Sequence, residues 1–247
     1  MIWCFKTNKY QRKAEKKAIV MKNGKILVEK LIAFGNGSFN PFRVVSIEER
    51  KRATKNFHEG KIIFNGFGYR LYDEVLQDRQ VFVMKFDDFF ETYMYCLNNI
   101  LFASHMNHNS ILTLIRCCLE TEIPILVFES VDYRTLPHFK PLQFTNRLKI
   151  AVEIANAIAY LHFRFPKPII FKIIKLWNIL IDKQNVAKLY DFSLFVSILE
   201  GKAHIKDAGR EIMGFVALEY LTTQGCFNEK CDVFLLWCIA ICAFDRT

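Results

Sequence analysis

Two lysines and an asparagine interrupt one apolar run, and they are the residues to question first. Residues 169–182 read IIFKIIKLWNILID, broken by Lys172, Lys175 and Asn178. Ammonium and amide groups bind and orient polar ligands, but neither accepts a proton at neutral pH. The residues alone leave two readings open: a buried strand with stray charges, or an active-site loop that has lost its reactive member. Asp191 follows in VAKLYDF (186–192), where an aspartate can simply end a strand. Lys85 ends a third apolar stretch, RQVFVMKF (79–86), where a lysine can snorkel to solvent.

Other elements must position these groups. Residues 61–86 alternate apolar and polar types around the turn Asn65–Gly68, which predicts two or three antiparallel strands. Residues 91–106 read as a helix, and ILTLIRCCLE (111–120) and IPILVFES (123–130) as two further strands. Ser46, with Glu49 three positions on, predicts a short capped helix over SIEERKRATKNF (46–57). In NRLKIAVEIANAIAYLHF (146–163) the apolar positions recur at helical spacing, and Pro166 and Pro168 close it. Val233–Phe244 is twelve apolar residues, too short for a membrane span of about 20 and read as a buried core helix. Strands crowd the first half and helices the second, which predicts an α+β fold of two lobes.

The chain of 247 residues is 52% apolar with 24 phenylalanines, enough for a real core. Its net charge of +9 is concentrated: residues 1–30 hold nine Lys/Arg against Glu15 and Glu29. The charge therefore describes a basic tail, helical or frayed over residues 1–25, read as a solvated arm or as a contact for acidic lipid or an acidic partner. The eight cysteines show no Cys-x-x-Cys pair and no zinc or disulfide framework, so they read as reduced thiols of a cytosolic protein.

From Ser46 onward the order of segments resembles a protein kinase domain of the plant receptor-like type. MNHNSILTLIRCCLE (106–120) is similar to the segment after helix C, PILVFES to the gatekeeper and hinge with Phe128 as gatekeeper, and LKIAVEIANAIAYLH to helix E. Within that group the chain resembles the ZRK-type receptor-like cytoplasmic pseudokinases. The resemblance implies a two-lobed kinase-like fold: a basic tail over 1–45, a β-rich N-lobe and hinge over 46–130, and a C-lobe over 131–247. That C-lobe is expected to be incomplete, ending in helix F at NEKCDVFLLWCIAICAF (228–244) with Asp232 at its start. Uncovering large side chains there costs about 1.5–3 kcal/mol each, so a truncated product or a covering partner is expected.

The motifs carry the chemistry the resemblance implies. The catalytic-loop pattern H-R-D-x-K-x-x-N reads Phe171-Lys172-Ile173-Ile174-Lys175-Leu176-Trp177-Asn178, so Ile173 stands where the general base belongs. Losing that base removes a contribution of about 10²–10⁴-fold. Lys175 and Asn178 stand at phosphate and metal positions, and Asp191-Phe192-Ser193 replaces D-F-G, leaving Asn178 and Asp191 as candidate Mg²⁺ ligands. Lys85 keeps the spacing of the lysine that meets the α/β-phosphates, while Asn99 occupies the helix-C glutamate position and cannot balance its charge. Gly66 alone falls on a glycine of the phosphate loop, with Tyr69 at the third glycine. Gly68 is either a slip of that loop or part of an ordinary hairpin turn. Between Asp191 and Glu219 there is no threonine, and Ile212 replaces a substrate-positioning one.

The resemblance implies a catalytically impaired adaptor in plant immune signalling, held by a leucine-rich-repeat receptor and engaging other receptor-like cytoplasmic kinases. It also implies ATP and Mg²⁺ bound weakly or not at all, no nucleic-acid partner, and a cytoplasmic location with peripheral contact at the plasma membrane through the tail. A weakly active Ser/Thr kinase is the alternative, resting on Lys85, Asn178 and Asp191.

Overall fold

Residues 62–86, whose apolar and polar types alternate around two turns, form an antiparallel meander. β2 (Ile62–Gly66), β3 (Tyr69–Leu76) and β4 (Arg79–Phe86) follow one another in a computed structural model. It describes residues 2–35, 39, 41–46, 57–135, 144–173, 178–199, 201–206 and 225–244. The chain divides into two units, Met1–Met106 with Thr113–Ser130, and Asn107–Leu112 with Val131–Thr247. The architecture is the α+β, two-lobed kinase-like fold, β-rich in the first unit.

The sheet of the first unit has the order β1-β5-β6-β4-β3-β2, adding β1 (Arg43–Val44), β5 (Leu114–Cys118) and β6 (Ile125–Glu129) to the meander. One face buries Tyr72, Val81, Val83, Ile125 and Val127 in a single cluster. The turn Gln77–Asp78 has positive φ at both residues (52° and 60°), the signature of a type I′ turn. It sets Leu76 opposite Arg79 and so fixes the register of every pair in β3 and β4. α2 (Phe90–His105) begins where Thr92 Oγ1 donates toward Asp87 O and Phe89 O, at 2.6 and 2.7 Å, and receives Phe89 N at 3.3 Å.

The basic tail departs from the solvated-arm expectation. Ile2–Gly35 is one helix, α1, of about 51 Å. Its second half packs on the first unit: Leu27 and Leu31 are buried, and Asn23 is buried completely. Asn23 Nδ2 donates to Leu119 O (3.0 Å) and Thr121 O (2.9 Å), and Tyr93 of α2 donates its hydroxyl to Asn23 Oδ1 at 3.0 Å. Lys16 and Lys22 add ion pairs to Glu120 and Glu122. A buried amide with both ends satisfied locks the helix in place, a role composition could not reveal. The short helix expected over 46–57 falls mainly on 47–56, which lie outside the described residues.

The second unit is organised by α3 (Phe144–Phe163) and α4 (Glu229–Phe244), with the small strands β7 (Tyr133–Thr135), β8 (Ile169–Ile170), β9 (Ile179–Asp182), β10 (Ala187–Leu189), β11 (Val196–Ser197), β12 (Ile205–Lys206) and β13 (Cys226–Phe227). α3 buries Ile150, Ile154, Ala157, Ile158 and Leu161; of the stripe expected at Leu148, Ala151, Val152, Ala155, Ile158 and Leu161 only the last two are buried, and Leu148 and Val152 are exposed. α4 is buried at Cys231, Asp232 and Leu235, but Val233 and Trp237 are exposed. The expectation of a buried core helix therefore holds for one face only among its described side chains. β7 pairs with the edge of β9, which a three-residue strand does without a periodic signal of its own.

Candidate nucleotide and catalytic-loop site

In the second unit the apolar run becomes a hairpin edge followed by a held loop. β9 and β10 pair with Ile179 opposite Leu189 and Leu180 opposite Lys188. Tyr190 N donates to Asn178 O at 3.2 Å, so the pairing carries Asn178 alongside Asp191. Leu189 in turn bonds Ser110 O and the Leu112 amide. Sequence separation is thereby converted into contact: Asn178 Nδ2 donates to Asp191 Oδ2 at 3.2 Å.

Asp191 is drawn into its own turn as well. Its φ is +68°, and Ser193 donates to Asp191 Oδ1 through its amide (3.2 Å) and its hydroxyl (2.5 Å). A carboxylate has about four lone-pair sites, so these three bonds leave capacity on Asp191. Asn178 Oδ1 is buried with no hydrogen-bond partner. An orphaned amide oxygen beside a carboxylate fits a hard divalent cation. Two protein oxygens hold Mg²⁺ only together with phosphate oxygens and water. Among the described residues, no group of three or more His, Cys, Asp and Glu could hold a metal ion.

The loop backbone before Asn178 hangs on one carboxylate. Asp232 of α4 is fully buried and accepts from Phe171 N (2.8 Å, Oδ2) and Lys172 N (2.9 Å, Oδ1), with His162 Nε2 of α3 at 2.8 Å from Oδ2. Burial pushes the Asp232 pKa up, against the lowering effect of His162 and the two amides. Lys172 has φ +71°, and Ile173 N donates to Phe171 O at 2.9 Å, which makes a tight, strained γ-turn. Neither His162 nor the anchoring role of Asp232 emerged from sequence. The available signal was a carboxylate set between Cys231 and the apolar run Val233–Phe244, where burial demands partners.

The side chains of this turn point to packing. Phe171 is buried against Phe195 with ring centroids 4.3 Å apart, and Phe195 meets Phe192 at 5.0 Å. Lys172 is buried with its Nζ 4.9 Å from the centre of the Phe227 ring. Ile173 is 3% exposed, so the base position carries a buried hydrocarbon. Lys175 lies outside the described residues.

In the first unit the candidate nucleotide residues do not converge. Directly opposed residues share a sheet face. Leu71 opposes Met84, Met84 opposes Leu126, Leu126 opposes Cys117, and Phe128 opposes Phe82 on that same face. Cys96 of α2 is fully buried and donates its thiol to Pro124 O at 3.2 Å, beside the start of β6; burial pushes that thiol's pKa up. Lys85 opposes Arg70 and belongs to the other face, with Nζ 4.7 Å from the centre of the Phe57 ring. Lys85 and Phe128, both expected at one nucleotide site, therefore lie on opposite faces of this sheet. The two-residue turn sets a register in which Lys85 faces away from the helix that a phosphate-binding lysine must meet. On that helix Asn99 is buried, and its amide donates to Tyr95 O at 2.9 Å.

Gly66 ends β2 opposite Tyr69, and Phe67–Gly68 form the turn between them, with Gly68 at φ +78°. A Cβ on Gly66 would fall 2.3 Å from the Tyr69 ring. The room left by the missing side chain is filled by the tyrosine at the third glycine position.

The profile of the protein tyrosine and serine/threonine kinase family matches residues 74–244. Among curated proteins, the chain is 37% identical to the non-functional pseudokinase ZED1 of Arabidopsis thaliana, across 93% of this chain and 69% of that protein. It is 34% identical to the non-functional pseudokinase ZRK2 (86% and 63%) and 32% identical to the serine/threonine-protein kinase ZRK1 (91% and 68%), both from the same plant. The chain thus spans about two thirds of the length of these relatives.

Proposed function

The chain belongs to the protein tyrosine and serine/threonine kinase family, and from that premise we propose that it is a catalytically impaired adaptor in plant immune signalling. The observation that carries this is Ile173. The catalytic-loop backbone is held by Asp232, yet the position that should accept the substrate hydroxyl proton is a buried isoleucine. Lys85 on the far sheet face and Tyr69 packed on Gly66 support the same reading. The second reading, a weakly active Ser/Thr kinase, is favoured by one arrangement, the Asn178–Asp191 pair that fits Mg²⁺. In either reading ATP and Mg²⁺ bind weakly or not at all, with the cation supplying charge neutralisation on the phosphates when bound. The location is cytoplasmic with peripheral contact at the plasma membrane; among the described residues no helix is long and apolar enough to cross a membrane.

An exposed face of α1 supports a receptor-facing surface. Met21 (66% exposed), Val28 (53%) and Ile32 (56%) line one helix face beside the docked Asn23, Leu27 and Leu31, with half-buried Gly24 at the border between the two. A glycine inside a helix costs about 0.5–1 kcal/mol relative to alanine. A Cβ on Gly24 would meet nothing within 4 Å, so packing within the first unit does not require that cost. The gap instead suits close approach by another protein. Lys17 and Lys25 are exposed on the same helix, so the complement is an apolar surface with an acidic rim, assigned here to a leucine-rich-repeat immune receptor.

Co-purification from the source tissue tests this. The intact chain is expected to recover such a receptor, and Gly24→Leu to lose it without a fall in melting temperature. Equal recovery by both would remove the α1 surface, and recovery of no receptor by either would remove the adaptor reading.

A further inference from the structure

A separate pocket of about 420 Å³ opens between the β2–β3 turn and the start of α2. It is lined by Phe67, Gly68, Phe89, Glu91, Thr92 and Tyr95, and its walls are largely apolar. The volume is at the small end of the range for ligand pockets, about 300–1,000 Å³, and suits one side chain rather than a folded segment. We propose that Phe67, Phe89, Tyr95 and Glu91 form an aromatic and carboxylate pocket that takes a lysine or arginine side chain of a protein partner. This goes beyond the adaptor reading and uses a surface distinct from the face of α1.

The construction supports it. Phe67 and Phe89 are 75% and 67% exposed, an expensive way to display two phenyl rings unless they serve contact. Thr92 turns its hydroxyl to Asp87 O and Phe89 O and presents its methyl outward toward Gly68, where a Cβ would fall 2.6 Å from it. Gly68, at φ +78°, therefore keeps the pocket open. Tyr95 donates its hydroxyl to Glu91 Oε2 at 3.3 Å, which holds a carboxylate beside the rings. Aromatic faces carry negative potential and attract ammonium and guanidinium groups. Exposed Asp88 adds to that field, whereas Asp87 is engaged by Arg70 at 3.6 Å. Charge complementarity thus selects a cationic side chain over a purely aliphatic one.

The test uses the ¹⁵N-labelled full chain and three short peptides of the form acetyl-Gly-X-Gly-amide, with X arginine, lysine or norleucine. The Gly68 amide is expected to shift with the arginine and lysine peptides, which bind about tenfold tighter than the norleucine peptide. Glu91→Gln and Phe67→Ala are each expected to weaken the cationic peptides about fivefold at unchanged melting temperature. Equal affinity for norleucine, unchanged affinity in both variants, or no shift at Gly68 with any peptide would each overturn the proposal. None of these outcomes depends on recovering the receptor.

Discussion

Asp232→Ala is expected to destabilise the second unit by about 3–5 kcal/mol, as when one partner of a buried charged pair is removed. The substitution leaves three groups stranded at once: Phe171 N, Lys172 N and His162 Nε2, all within 2.9 Å of the carboxylate. Each buried polar group left without a partner costs about 1–3 kcal/mol. It also releases Lys172 from φ +71°, a conformation that costs about 1–3 kcal/mol and persists only while the surroundings enforce it. Against a typical domain stability of about 5–15 kcal/mol, such a loss lowers the urea midpoint steeply or prevents folding. Val233→Ala, next in the chain but 56% exposed, serves as the control and should stay within about 0.5 kcal/mol. A shift of under about 1 kcal/mol for Asp232→Ala would mean that the loop is held by something else.

Asn23→Ala should cost about 2–3 kcal/mol and free α1. The side chain makes three bonds, to Leu119 O, Thr121 O and the Tyr93 hydroxyl. Each contributes about 0.5–1.5 kcal/mol net, and the buried partners lose their satisfaction with it. An isolated helix is marginal in water, so without this lock the amides of α1 should exchange far faster than those of β4 and β6. Hydrogen exchange resolved by segment reads this directly, with Lys25→Ala, an exposed position on the same helix, expected to change nothing. Unaltered protection of α1 in Asn23→Ala would show that Leu27 and Leu31 suffice to dock it.

Much of the architecture was legible in the residues because it rests on periodic burial. The alternation over 61–86 announced the meander, and the apolar stripe of 146–163 announced α3. Ile173 was set at the base position by the resemblance to the catalytic-loop motif, and its burial is what the structure adds. Lys85 could not be placed as well, because its spacing within the motif says nothing about which sheet face it occupies. That is decided by a two-residue turn with two positive φ values at Gln77 and Asp78, neither of them glycine or asparagine. The tail misled for a related reason. Nine cationic residues dominate its composition, while the docking depends on Asn23, Leu27 and Leu31 spaced four apart on one face. Asp232 was visible as an oddity in an apolar helix, but its partners lie 60–70 residues away. Long-range polar networks of that kind leave no periodic trace.

The central claim is that phosphoryl transfer has been lost while the loop that once served it is still built. The most direct measurement is phosphate incorporation from radiolabelled ATP and Mg²⁺ into the chain and into a generic protein substrate, beside an Asp191→Asn variant lacking the carboxylate that would hold the metal. The account predicts incorporation by the intact chain no greater than that of Asp191→Asn. Label that accumulates with the intact chain and disappears in Asp191→Asn would contradict it and establish a working kinase.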